Sequence, residues 1–186
     1  SQLKIENDEI LGVSLESLKA VLRRIKSGSI LTMIKEENEL KLIIQDKIKR
    51  EFNLALIDVD SEEKPIPNLD FTSKIEMSST DFSEAIEDCS IVADSCSFIS
   101  EADKFIIRAK GSLNSFKSEF TDEVNIMAES ASSKYSLEYL QKLVKGTKIS
   151  NKTVINFAND YPLRLDFATS SIELSFILAP RVDSED

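Results

Sequence analysis

Val13-Ser14-Leu15-Glu16-Ser17-Leu18-Lys19-Ala20-Val21-Leu22-Arg23-Arg24 returns late in the chain as Tyr135-Ser136-Leu137-Glu138-Tyr139-Leu140-Gln141-Lys142-Leu143-Val144-Lys145-Gly146, with Ser-Leu-Glu-x-Leu matched without a gap. Both copies read as amphipathic helices. Leu15, Leu18, Leu22 and Ile25 share one face of the first, and Leu137, Leu140 and Val144 share one face of the second. Ser14 and Ser136 stand where N-caps are expected. The likeness continues downstream. Ile30–Ile34, Leu40–Ile44 and Glu51–Leu56 follow the first helix; Thr153–Phe157, Leu163–Phe167 and Ile172–Leu178 follow the second. Their alternation and β-branched content predict strands, with tight turns at Asn38 and Asp160. Each copy is therefore one helix followed by about three antiparallel strands, an internal repeat.

A further unit lies between the copies. Phe71–Met77 alternates as a strand does, and Ser79-Thr80-Asp81-Phe82 opens a helix that turns Phe82, Ala85, Ile86 and Cys89 inward. Strands are expected at 95–99, 104–109, 113–120 and 123–128. The stretch Asp58-Val59-Asp60-Ser61-Glu62-Glu63-Lys64-Pro65-Ile66-Pro67 is acidic, and its prolines do not belong in a central strand. It divides the chain into residues 1–57, a connector at 58–67, and residues 68–186. One unit precedes the connector and two follow it. A lone unit leaves one face uncovered, so a partner unit of about 60 residues is expected upstream of Ser1, the size of one unit here.

Composition narrows the function. A length of 186 residues with 41% hydrophobic content is enough for a substantial core. No apolar run reaches the length of a membrane span, and the first residues lack the layout of a signal peptide. The chain contains no histidine, the commonest general base, and its two cysteines, Cys89 and Cys96, are too few for a usual zinc site. It also has no Gly-rich phosphate loop and no nucleophile motif. Adjacent acids such as Glu36-Glu37 and Glu62-Glu63 read as solvated loops. A non-enzymatic protein without cofactor or metal is expected. The formal net charge of −10 argues against nucleic-acid binding unless the 23 basic residues cluster. Some do: Lys19, Arg23 and Lys26, spaced 4 and 3 apart, form one stripe with Arg24 farther round. On the second helix Gln141, Lys145 and Lys148 take the equivalent places, with Lys142 beside them. The middle helix instead carries Glu84, Glu87 and Asp88.

In this order the pieces resemble the sliding clamps of the proliferating-cell-nuclear-antigen type. Leu11-Gly12-Val13-Ser14-Leu15 is similar to that family's strand-to-helix entry, and Leu54-Ala55-Leu56-Ile57-Asp58-Val59-Asp60 and Ile66-Pro67 to the entry and exit of its connector. Tyr161-Pro162-Leu163 resembles a turn near its partner pocket. Leu178-Ala179-Pro180-Arg181-Val182-Asp183 resembles its C-terminal signature. The likeness spans essentially the whole chain, and the short turns resemble archaeal members.

The resemblance implies an α+β fold, mainly antiparallel, in which three subunits close a ring around duplex DNA without reading its sequence. Lys19, Arg23, Arg24, Lys26, Lys142, Lys145 and Lys148 are then expected to face DNA. It implies a pocket for short client peptides at Ile66, Pro162, Ile177, Leu178, Ala179, Pro180 and Arg181, with Lys64 a departure from the usual apolar connector residue. The expected clients are DNA polymerase, clamp loader, flap endonuclease and ligase. Subunits are expected to meet edge to edge, Arg50–Leu54 against Leu113–Ser118, with Phe52, Leu54, Leu113 and Phe116 at the junction. The ring is open to either a homotrimer or a heterotrimer. Localisation is expected at the nucleoid in an archaeal cell, or in the nucleus of a eukaryotic one. A paralogous or checkpoint-type subunit acting as an interaction scaffold is the alternative reading.

Overall fold

The computed structural model describes residues 4, 9–59, 67–122, 124–128 and 130–182. The connector positions Lys64 and Ile66 lie outside the described residues. The chain forms two compact units, Ser1–Ile66 and Pro67–Asp186.

In the first unit Ser14 caps α1 (Leu15–Leu22), its hydroxyl accepting from the Ser17 amide at 3.3 Å. Strands β1 (Ile30–Lys35), β2 (Glu39–Gln45) and β3 (Lys49–Ala55) form an antiparallel sheet in that order. Leu40, Leu42 and Ile44 alternate on the inner face of β2 and meet Val21 of α1. The buried side of α1 differs from the expected one. Val21 is buried and Leu18 and Ile25 pack beside it, whereas Leu15 is 76% exposed and Leu22 lies at the margin. A three-stranded sheet covers only a narrow stripe of an eight-residue helix, and Leu18, Val21 and Ile25 fall on that stripe at helical spacing.

The second unit begins with β4 (Ser73–Ser78), which runs directly into α2 (Ser79–Val92). The Ser78 hydroxyl caps α2 at the Asp81 amide. Strands β5 (Ser95–Ser100), β6 (Phe105–Lys110), β7 (Ser115–Phe120), β8 (Asn125–Ala128) and β9 (Ala131–Ser136) follow. After them come α3 (Leu137–Leu143), a 3-10 turn at Val144–Lys148, and β10 (Lys152–Phe157), β11 (Leu163–Ala168) and β12 (Glu173–Leu178). Two sheets result, ordered β12-β11-β10-β4-β8 and β7-β6-β5-β9. The inward faces of both sheets and of both helices share one core, whose centre is the fully buried Phe98. Cys89 and Cys96 are buried free thiols in it.

The repeat is real in three dimensions. α3 is followed by the antiparallel run β10-β11-β12, as α1 is by β1-β2-β3. Leu137, Leu140 and Val144 are buried as expected, but Ser136 makes no side-chain cap bond. Strand β9 was not expected from the sequence. No helix among the described residues is long and apolar enough to cross a membrane.

Candidate binding surfaces

The basic positions of the first repeat divide at the end of α1. Lys19 and Arg23 stand exposed on the last turn of the helix and at its C-cap. Beyond it the chain tightens: the Arg24 amide donates to Val21 O at 2.9 Å and the Ile25 amide to Leu22 O at 3.1 Å. Gly28 takes φ +82, a left-handed turn that suits a residue without Cβ. Lys26 therefore lies on a turn, not on the helical stripe that its spacing predicted. With Arg24 it lines a pocket of about 750 Å³ whose other walls are Asp46, Lys47 and Ile48 of the β2–β3 turn and Arg50 near the start of β3.

In the second repeat Lys142 is paired with Glu138 at 2.9 Å and lies over the Tyr139 ring, so part of its field is neutralised. Glu138 raises the Lys142 pKa accordingly. Lys145 and Lys148 sit on the 3-10 turn, where residues three apart share one side. Both are exposed, and neither pairs with a carboxylate among the described residues. That turn is fixed because Gly146 lies against the Phe167 ring, where a Cβ would come within 2.7 Å. In α2 the residues Asp81, Glu84, Glu87 and Asp88 are all exposed, and the helix has no basic residue in its last turn.

A separate apolar strip runs along β12. Ile177 is 41% exposed and sits opposite Arg164, while Leu178, opposite Leu163, is half-buried and packs against the core. Pro162 lies in the turn between β10 and β11, which is stitched to β9. The Tyr135 hydroxyl donates to Tyr161 O at 2.8 Å and the Ser133 hydroxyl to the same oxygen at 3.2 Å. Burial pushes the Tyr135 phenol well up, so it stays a donor at any ordinary pH. Phe71 meets the Tyr161 ring edge-on at 6.1 Å. The last described residues lie alongside: the Arg181 amide donates to Lys134 O at 2.7 Å, and its guanidinium pairs with Asp94 at 2.9 Å. Arg181 holds the Asp94 carboxyl below its usual range. Ala179 is exposed and Pro180 half-buried. Pro162, Ile177, Leu178, Ala179, Pro180 and Arg181 thus all lie on β12, its extension or the adjoining turn, within the second unit.

Strands β3 and β7 each have a free edge among the described residues. Phe52 and Leu54 pack into the core of the first unit, and Phe116 into that of the second. Their side chains therefore hold the strands in place, and the backbone is what each edge offers. Leu113 belongs to the turn before β7 and not to the strand, and it is 92% exposed.

Comparison with known proteins bears on what these surfaces serve. A family model described as proliferating cell nuclear antigen, C-terminal domain, matches residues 65–182. A DNA polymerase sliding clamp of Thermococcus fumicolans is 34% identical over 98% of this chain and 76% of its own length. One from Nanoarchaeum equitans is 33% identical over 96% and 76%. Among solved structures, the proliferating cell nuclear antigen of Thermococcus kodakaraensis superposes with a TM-score of 0.88 at 26% identity, covering 97% of this chain and 77% of that one. That of Entamoeba histolytica gives 0.84 at 21% identity, covering 92% and 72%, a likeness of fold.

Proposed function

The chain belongs to the proliferating cell nuclear antigen family, and from that premise we propose how its surfaces divide the work of a DNA polymerase sliding clamp. The chain is a clamp subunit, a processivity factor that acts as part of a multimer around DNA. Lys19 and Arg23 on α1, and Lys145 and Lys148 after α3, face the phosphates, with Lys142 contributing less because Glu138 already neutralises it. The field is weak and blind to sequence, which suits a protein that has to slide. Enclosure keeps it on the duplex, and contact energy has a minor part.

The observation that carries this reading is the repeated helix-and-three-strand unit, with basic residues recurring at the same helix end in a chain of net charge −10. A polymerase on primed circular DNA, with a clamp loader present, is expected to make longer products when the chain is added. Equal product length with and without it would count against the reading.

Clients dock at the strip on β12. An apolar residue and two aromatics of a short peptide rest on Ile177, Leu178 and Pro162, and the extended backbone at 179–181 supplies hydrogen bonds. Polymerase, loader, flap endonuclease and ligase are the proposed clients, and no catalysis by the chain itself is needed. Ile177→Ala is expected to weaken such a peptide about tenfold, the effect of truncating a central anchor by roughly 1.4 kcal/mol. Fluorescence polarisation of a labelled peptide measures it; an unaltered Kd would remove Ile177 from the pocket.

A further inference from the structure

One cluster of cations serves neither the duplex nor the client strip. It lies on the outward face of the sheet β7-β6-β5-β9. The other face of that sheet carries Phe98, Phe105, Ile107 and Tyr135 into the core and packs against α2 and α3. Arg108, Lys110, Lys117 and Lys134 alternate with those inward positions and so point away from both helices. The strand register draws them into a row. Lys117 stands opposite Arg108, Arg108 opposite Ser97, and Ser97 opposite Lys134. Lys110 lies two residues along β6, opposite Ser115. Together they line a pocket of about 550 Å³ with the hydroxyls of Ser97 and Ser115, and no carboxylate lines it among the described residues. Like charges placed directly opposite one another on a sheet are destabilising, yet Arg108 and Lys117 stand so in a chain of net charge −10. Glu119, farther along β7, offsets part of the Lys117 charge. Arg108 and Lys110 are exposed and pair with no carboxylate among the described residues. The row is short of an anion.

Its near end adjoins the client strip. β9 is an edge strand of its sheet, and the Arg181 amide donates to Lys134 O at 2.7 Å, so the extended backbone at 179–181 lies against that edge. From Arg181 the row crosses β9, β5 and β6 to reach β7. At about 4.8 Å between neighbouring strands, Lys117 stands about 20 Å from that backbone, the reach of roughly six extended residues. A peptide anchored on Ile177, Leu178 and Pro162 therefore brings its flanking residues onto the row, at an effective concentration on the order of millimolar. The tether also decides the class of ligand. The negative field of the whole chain repels a free polyanion such as nucleic acid, whereas a short acidic segment is held in place by its apolar anchors.

We propose that the row of Lys134, Arg108 and Lys117, with Lys110 beside it, receives an acidic segment that flanks the docking motif of a client protein. Its carboxylates accept hydrogen bonds from the guanidinium, the ammonium groups and the serine hydroxyls. This inference rests on the client strip of the proposed function and adds a charge preference to it, so that clients with acidic flanks are selected over those with neutral ones.

Fluorescence polarisation of the whole chain with two labelled peptides tests it. Both peptides carry an apolar residue and two aromatics. In one, the six residues on each side include four glutamates; in the other, all are neutral. The acidic peptide is expected to bind wild type about tenfold tighter, with the advantage shrinking as salt rises. Arg108→Thr together with Lys110→Thr is expected to erase that advantage and leave the Kd of the neutral peptide unchanged. Both side chains are exposed and threonine suits a strand, and far-UV circular dichroism checks that the variant is folded. Ile177→Ala is expected to weaken both peptides alike. Equal binding of the two peptides to wild type overturns the proposal while the client strip stands. So does an advantage that survives in the folded double variant. If the double variant instead loses only affinity for a single-stranded oligonucleotide, the row is a phosphate site and the proposal is likewise overturned. Binding of neither peptide would remove the client strip itself, and this addition with it.

Discussion

Phe98→Ala is expected to destabilise the second unit by about 3–5 kcal/mol, the range for removing a buried aromatic and leaving its cavity. The site has little freedom to collapse. Phe98 is fully buried, and its ring meets Tyr135 at 5.2 Å, Phe105 at 5.6 Å, Phe82 at 6.0 Å and Phe157 at 6.2 Å, mostly edge to face. These partners come from α2, β6, β9 and β10, so one truncation loosens both sheets at once. The first unit has its own core of Val21, Leu40, Leu42 and Ile44. Hydrogen exchange should therefore show reduced protection in residues 67–182 and near-native protection in β2. Full protection retained in both would contradict this account of the core.

The second large effect concerns DNA. Arg23→Glu together with Lys145→Glu is expected to lower the slope of log affinity against log salt for duplex DNA by about two, one for each phosphate that the protein no longer neutralises. Stimulation of a polymerase on circular templates should fall with it. Both side chains are exposed and neither pairs with a carboxylate among the described residues, so the fold should be unaffected. Lys142→Glu alone is expected to do less, since Glu138 already offsets that charge. Unchanged slope and unchanged stimulation in the double variant would end the role proposed for these positions.

The repeat was readable because it is written in apolar periodicity: Leu137, Leu140 and Val144 are buried as their spacing says, and every expected strand forms. Strand β9 escaped because its inward positions are Ala131, Ser133 and Tyr135. A buried serine satisfied by Tyr161 O leaves no hydrophobic signature. The face of α1 was misjudged because two overlapping apolar stripes are available, and only the sheet beneath selects Leu18 and Val21 over Leu15. Lys26 kept its helical spacing in sequence but not in space, and Gly28 two residues on was the local sign of the turn. The pocket at Arg50 was hidden for a different reason. Its cations come from the turn at 24–28, the turn at 46–48 and the start of β3, which only the pairing of β1, β2 and β3 brings together.

The most direct test is retention on DNA after loading. A loader places the labelled chain on nicked circular DNA, half of the sample is linearised, and both halves pass through a gel-filtration column in high salt. Enclosure predicts that the chain stays with the circles and runs off the linear ends. Equal retention on both forms would mean that it holds DNA by adhesion, and that no closed ring is at work.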